Sequence, residues 1–424
     1  METQSDAQLA ELFRREAGRI CVWLVRLLGP SRLELVEDAV QEAFAAALAQ
    51  WPYAGTPRDP AAWLAVAARN KAFDGLKRDS RMDAIDPTDE AAAWRLGFSN
   101  PEDTGRLDDT LALMFVACHP ALGADDQIML TLQTVCGFNP RQIARAFLSG
   151  AEAVTQRLVR AKRRIKVLQL RFEIPEGGEL AERISALRHV IYLLFTGGYC
   201  ATEGAMLLRE DLCAEALRLA RLLARHPATA TGETHALVAL MCFHHARAPA
   251  RVDDSGDLVL LAEQDRSRWD KNLLVDGFER LRAAMQAPRL TPLHLEAAIA
   301  ALHAAAPSFE QTDWPALCRT YEHLLELKPN PVVRVNAAIA RAYADGPAAG
   351  LEQLKQLGNL AKLSTYASFH AARGDLLMKL QRYIEAADAF RSALGCPLNA
   401  VEREFLLSRA QLCRVASGNR SELN

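Results

Sequence analysis

The sequence predicts an all-α protein, and three observations carry that prediction. Apolar residues recur at spacings of three and four along nearly the whole chain, the period of one helix face. Alternating runs of β-branched residues, the mark of half-buried strands, are almost absent. Helix-start signals, such as Asp59 before Pro60 and Asn139 before Pro140, punctuate the pattern where apolar periodicity begins.

At 424 residues, half of them hydrophobic and with a net charge of −2, the chain can bury several cores, which excludes a disordered chain. No apolar run approaches the roughly 18 to 20 residues that span a bilayer. The start "METQSDAQLAELFRRE" is acidic and polar, where a signal peptide is basic and then apolar. A cytoplasmic location without a membrane partner is therefore expected. Nine cysteines stand singly with no C-x-x-C pair, which fits reduced, core-packed thiols better than disulfides or a zinc knuckle.

The first helical block is predicted over 6–81. In "VEDAVQEAFAAALAQWP" (36–52), Val36, Ala39, Val40, Ala43, Phe44 and Ala47 form a core face and leave Asp38, Gln41 and Glu42 as a polar strip. Read on those residues alone, the strip is an ordinary solvated acidic face. Asp59 then caps a helix opened by Pro60, with Trp63, Leu64, Ala67 and Leu76 inward and Arg69, Asn70, Lys71, Lys77 and Arg78 as a basic surface. From Met82 to Asp109 there are eight acids against two arginines, with Pro87 and Pro101, so residues 82–106 read as an acidic linker.

A second helical block is predicted over 107–172. Asn139, Pro140 and Gln142 supply a cap, a first-position proline and an amide that reaches back to the cap. Ile143, Ala144 and Phe147 form the buried side of one short helix, and Ser149 and Gly150 permit a sharp turn. Val154, Leu158, Ala161 and Ile165 then form the stripe of a second helix. Two short helices on one core with a glycine turn make a helix-turn-helix. Glu152, Ala153, Gln156, Arg157 and Arg160 are left facing outward near the start of the second helix, where such a helix meets base edges. Residues 157–171 hold seven basic side chains and no acid, among them Lys162, Arg163 and Arg164. A duplex rewards such a run through counterion release, whereas a solvated face usually mixes signs.

After the boundary "EIPEGGEL", residues 180–424 are predicted as a helical extension. Toward its end Tyr321 and Leu324 share their spacing with Phe390 and Ala393, and Pro397 lies close to the place equivalent to Pro329. Gly374, Ala386, Phe390 and Ala393 fall on the small and aromatic positions of a 34-residue helical hairpin, so this part resembles a TPR array. "EQDRSRWD" (263–270) sets both charge signs beside Trp269 and reads equally as an interdomain contact or a salt-bridge cluster around a packed tryptophan. His235, Cys242, His244 and His245 lie in one helical stretch with no acid at ligand spacing, and no phosphate loop or nucleophile elbow occurs. No catalytic residue, metal or cofactor is expected.

The order of the strip, the "DPAAWLAVAARNKAFDGLKRDSR" segment (59–81) and the helix-turn-helix resembles the extracytoplasmic-function (ECF) class of bacterial sigma factors, which keep only regions 2 and 4. The likeness covers residues 6–172. With the long extension the chain looks like the ECF group that carries a TPR-containing tail. The resemblance implies that Asp38, Gln41 and Glu42 dock on core RNA polymerase. It implies that Arg69, Asn70, Lys71, Lys77 and Arg78, with the loop Tyr53 to Arg58, hold the melted non-template strand of the minus-10 element. Asn70, which both donates and accepts hydrogen bonds, is the first choice for base contact. Glu152, Gln156, Arg157 and Arg160 would read the duplex minus-35 element, with Lys162, Arg163 and Arg164 on phosphates. Ala153 stands where the family carries a threonine. The tail would control the sigma region in cis, or meet a protein partner.

The alternative is a helix-turn-helix regulator that binds duplex DNA without polymerase and takes its signal through the repeats. A scaffold that binds proteins alone leaves the basic run without a purpose.

Overall fold

The structure is a computed structural model that describes residues 16–79, 104–146, 149–199, 210–253, 259–358 and 363–421; within it the side chains of 77–79, 104–106, 145–146 and 418–421 are outside the described part. It is all-α, as the periodicity predicts. The chain divides into two compact units, residues 1–194 and 195–424. The expected linker, 82–106, lies outside the described residues up to 103, and its last three residues already belong to a helix.

The first unit starts with α1 (16–28), followed by α2 (Leu33–Ala54) and α3 (Pro60–Asp79). Every residue predicted for the core face of α2 is buried, and α3 packs along α2. Asp59 caps α3 by accepting from the Ala62 amide at 3.0 Å. The buried stripe of α3 is Leu64, Ala65, Ala68, Arg69 and Ala72, rotated from the predicted one. The rotation follows from volume: small alanines and Gly75, whose missing Cβ leaves room for Leu35, allow close approach. Trp63 sits at the margin against Trp51, ring centroids 5.5 Å apart.

Helices α4 (Thr104–Ala117), α5 (Ala124–Thr134), α6 (Pro140–Ala146) and α7 (Ala151–Leu168) complete most of this unit. The reciprocal cap forms as expected: the Gln142 amide donates to Asn139 Oδ1 at 2.9 Å, and the Asn139 amide donates to Gln142 Oε1 at 2.9 Å. Ile143 and Ala144 are buried, and Phe147 lies outside the described residues. Val154, Leu158, Ala161 and Ile165 are all buried, and α7 packs on α5 and α6. The two predicted blocks share one unit. Gly18 lies so close to the Val135 carbonyl that a Cβ would collide with its oxygen, and Arg26 pairs with Asp109 at 2.8 Å. The two glycines of the expected break open α8 (Gly177–Tyr199), whose residues up to Leu194 belong to the first unit, where Arg183 stacks over Phe115 and donates to its carbonyl.

The second unit contains α9 (Glu210–Arg225), α10 (Gly232–Ala246), α11 (Lys271–Ala284) and α12 (Pro292–Ala305). Residues 236–243 of α10 are buried all round, so α10 is the central helix of this group, covered by α9, α11 and α12. Helices α13 (Trp314–Leu327), α14 (Pro331–Asp345), α15 (Pro347–Leu357), α16 (Ala367–Lys379), α17 (Tyr383–Leu394) and α18 (Ala400–Ser421) follow, each packed on the next in the manner of helical hairpins. Gly374 faces the ring of Phe390, where a Cβ would stand only 2.8 Å from it. Phe390, Ala386 and Ala393 are fully buried in the same core, and Leu324 is buried in the neighbouring one.

Candidate polymerase and nucleic-acid interface

One face of α2 remains open. Asp38, Gln41 and Glu42 are exposed on it, as the spacing requires once the opposite face is buried. Glu42 pairs at 3.3 Å with Lys71 of α3, linking the strip to the neighbouring basic face. Burial of part of its surroundings, with Glu34 and Glu42 nearby, raises the Asp38 carboxyl above its ordinary value, and Lys162 pulls it back.

On α3, Asn70 and Lys71 are exposed, while the side chains of Lys77 and Arg78 lie outside the described part. Arg69 corrects the expected basic surface: it is 6% exposed, its guanidinium 5.0 Å from the centre of the Phe73 ring. It falls one turn after Ala65 on the buried stripe, so the rotation of α3 takes it inward. The expected loop Tyr53 to Arg58 begins inside α2: Tyr53, 93% exposed, stands in the last turn of that helix, and the open loop starts at Gly55.

On α7, Glu152, Gln156, Arg160, Arg163 and Arg164 are exposed opposite the buried stripe. The two flanks differ. Arg157 binds back to the start of α5, its Nε donating to Asp126 at 2.8 Å and its Nη1 lying 3.3 Å from Asp125. Lys162 donates to Glu37 of α2 in an ion pair whose side chains are 9% and 6% exposed. An accessible phosphate contact by Lys162 is therefore corrected: its ammonium is already neutralised inside the unit. Glu37 is the residue that sequence reading missed. It lies four residues after Leu33 and three before Val40, on the apolar stripe, as Lys162 lies four after Leu158 and three before Ile165. Opposite charges at two buried stripe positions were the available signal. Burial pushes the Glu37 carboxyl up to about 7 even with Lys162 beside it, and it pushes up the neighbouring Cys21 thiol.

The acid-free basic run thus presents an open stripe flanked by two internally tied cations, and α2 carries both the acidic strip and, in its last turn, the exposed Tyr53. Sigma-70 region 2 matches residues 12–82, and a family of unknown function (DUF6596) matches residues 183–285. An uncharacterized protein of Rhizobium meliloti (strain 1021) is 42% identical over 392 residues, 91% of each chain. The chain belongs to that protein's family and carries sigma-70 region 2 at its amino end. Sigma-70 region 2 domains in general bind core RNA polymerase and promoter DNA, so the match supports a sigma-type role in transcription initiation.

Elsewhere, the described part of "EQDRSRWD" forms a packed tryptophan site within the second unit: Trp269 is 3% exposed, with Arg266 and Arg247 over its ring. Among the described residues no helix is long and apolar enough to cross a membrane, no group of three or more His, Cys, Asp or Glu is placed to hold a metal ion, and the eight cysteines are buried and form no disulfide.

Proposed function

We propose that this protein is a sigma factor of the ECF type that binds core RNA polymerase and directs initiation at specific promoters. The exposed Asp38, Gln41 and Glu42 dock on polymerase. Asn70 and Lys71, with Lys77 and Arg78, hold the melted non-template strand, and Tyr53 supplies a ring on which an unpaired base stacks. Arg69, from beneath, positions Phe73 and the helix surface. The open stripe of α7 acts as the recognition face of a helix-turn-helix: Glu152, Gln156 and Arg160 read the duplex minus-35 element, and Arg163 and Arg164 contact phosphates. Arg157 and Lys162 set the orientation of α7 against α5 and α2. The second unit, TPR-like in its hairpins, regulates the sigma region, and the protein works in the cytoplasm.

The observation that carries this reading is the match of sigma-70 region 2 to the segment whose open helix face bears the acidic strip. Association of the purified chain with core polymerase tests it. Replacing Asp38, Gln41 and Glu42 together by alanine is expected to abolish association without altering the helical circular dichroism. Undiminished association would refute the docking assignment, and binding to duplex DNA with no response to polymerase would favour a conventional regulator.

A further inference from the structure

The segment joining α10 to α11 carries three arginines that lie against two aromatic rings. Arg247 follows α10, Arg251 follows a short turn, and Arg266 precedes Trp269. The guanidiniums of Arg247 and Arg266 lie 5.7 and 4.6 Å from the Trp269 ring centre, and that of Arg251 lies 3.9 Å from the Tyr199 ring centre. Their hydrogen-bond acceptors are neutral. Arg247 Nε donates to Gln264 Oε1 at 3.2 Å, Arg251 Nη1 to the Tyr199 carbonyl at 2.5 Å, and Arg266 Nη1 to the His303 and Ala306 carbonyls at 2.6 and 2.7 Å. Among the described residues none of the three arginines makes an ion pair with a carboxylate. Glu310, the acid whose field reaches Arg266, is itself exposed.

Two further observations mark the cluster as incomplete. Arg266 Nη2, Trp269 Nε1 and His303 Nδ1 are buried with no hydrogen-bond partner. The charges also repel one another: burial first, with Arg251 adding to it, weakens the hold of Arg247 on its proton, and burial and then Arg247 do the same to Arg266. His303 and His244, which burial and the same arginines act on, are pushed down to about 4 and about 3 and so stay neutral. Like charges and orphaned donors in a half-buried site raise the free energy of the empty protein unless an anion joins them.

We propose that this cluster binds a small phosphate-bearing anion, free phosphate or a phosphorylated metabolite. Guanidinium forks match the tetrahedral oxygens of a phosphate, and its negative charge offsets that of the arginines. The site lies mostly within residues 183–285, the part that matches the family of unknown function, with His303 just beyond it. It stands whether or not the chain is a sigma factor, since anion binding and polymerase association are measured separately.

The test is calorimetric titration of the full chain with inorganic phosphate and with a nucleoside triphosphate, against sodium chloride at equal ionic strength. Saturable binding of at least one phosphate ligand is expected, with the tighter of the two naming the source. Arg247→Gln and Arg251→Gln are each expected to weaken it by about tenfold or more. Hydrogen exchange on the unaltered protein provides a readout that needs no variant: protection on adding ligand is expected at 244–251 and 263–270. Absence of saturable binding by both ligands, an equal effect of chloride, affinity unchanged in both variants, or protection confined to 151–168 would each overturn the proposal.

Discussion

Glu37 and Lys162 show how a single pair can decide whether a cation is available to DNA. Both side chains are nearly inaccessible, so each depends on the other, and removing one partner of such a pair costs about 3–5 kcal/mol. The carboxyl has a value of about 7 in the fold against 4.5 ordinarily. Its contribution to stability is therefore fully present below about 4.5 and lost as pH rises through about 7. Lys162 lowers that value, so Lys162→Met raises it further and carries the loss to higher pH. Thermal unfolding should show Lys162→Met less stable than the parent, with a deficit larger at about pH 8 than at about pH 5. A deficit independent of pH would mean that the pair contributes through packing alone. At the same scale, Asn70, Lys71 and the acidic strip stand where the residue pattern put them, whereas Arg69 and Lys162 do not. A long cation on a buried stripe is read as surface by charge and as core by position, and position won in both cases.

At the scale of elements, α7 divides its basic residues by face. Arg160 and Arg163 are open, and Arg157 is held by Asp125 and Asp126. Replacing Arg160 or Arg163 with alanine should weaken duplex binding and lower the slope of log affinity against log salt by about one for each phosphate no longer neutralised, as fluorescence anisotropy would show. Arg157→Ala should lower the unfolding temperature and leave that slope nearly unchanged. In the second unit, Gly374→Leu drives a side chain into the Phe390 ring and should destabilise by about 1–3 kcal/mol in urea unfolding, whereas a change at the open Arg391 should have little effect. Helix periods, caps and the turn at Gly150 were legible in the sequence because each has a local cause. The rotation of α3 was not, because it depends on which alanines and glycines of two helices meet.

For the whole molecule, the all-α class was legible from periodicity alone. Composition breaks lie at 82–109 and 173–180, and the compact units of the fold are residues 1–194 and 195–424. The difference arises from side chains distant in sequence: Gly18 with Val135, Arg26 with Asp109, Glu37 with Lys162, and Arg183 with Phe115 draw the two predicted blocks and the start of α8 into one unit. The extension was legible as helical hairpins, and its cluster of arginines became visible only once Arg247, Arg251 and Arg266 were placed around two rings.

The most direct test of the central claim is run-off transcription by purified core RNA polymerase with the full chain, on templates selected for binding to it. Discrete transcripts from defined start sites should appear with the chain present and vanish when Glu152, Gln156 and Arg160 are replaced together. If polymerase neither retains the chain nor starts RNA at any defined site in its presence, a sigma-type role is contradicted.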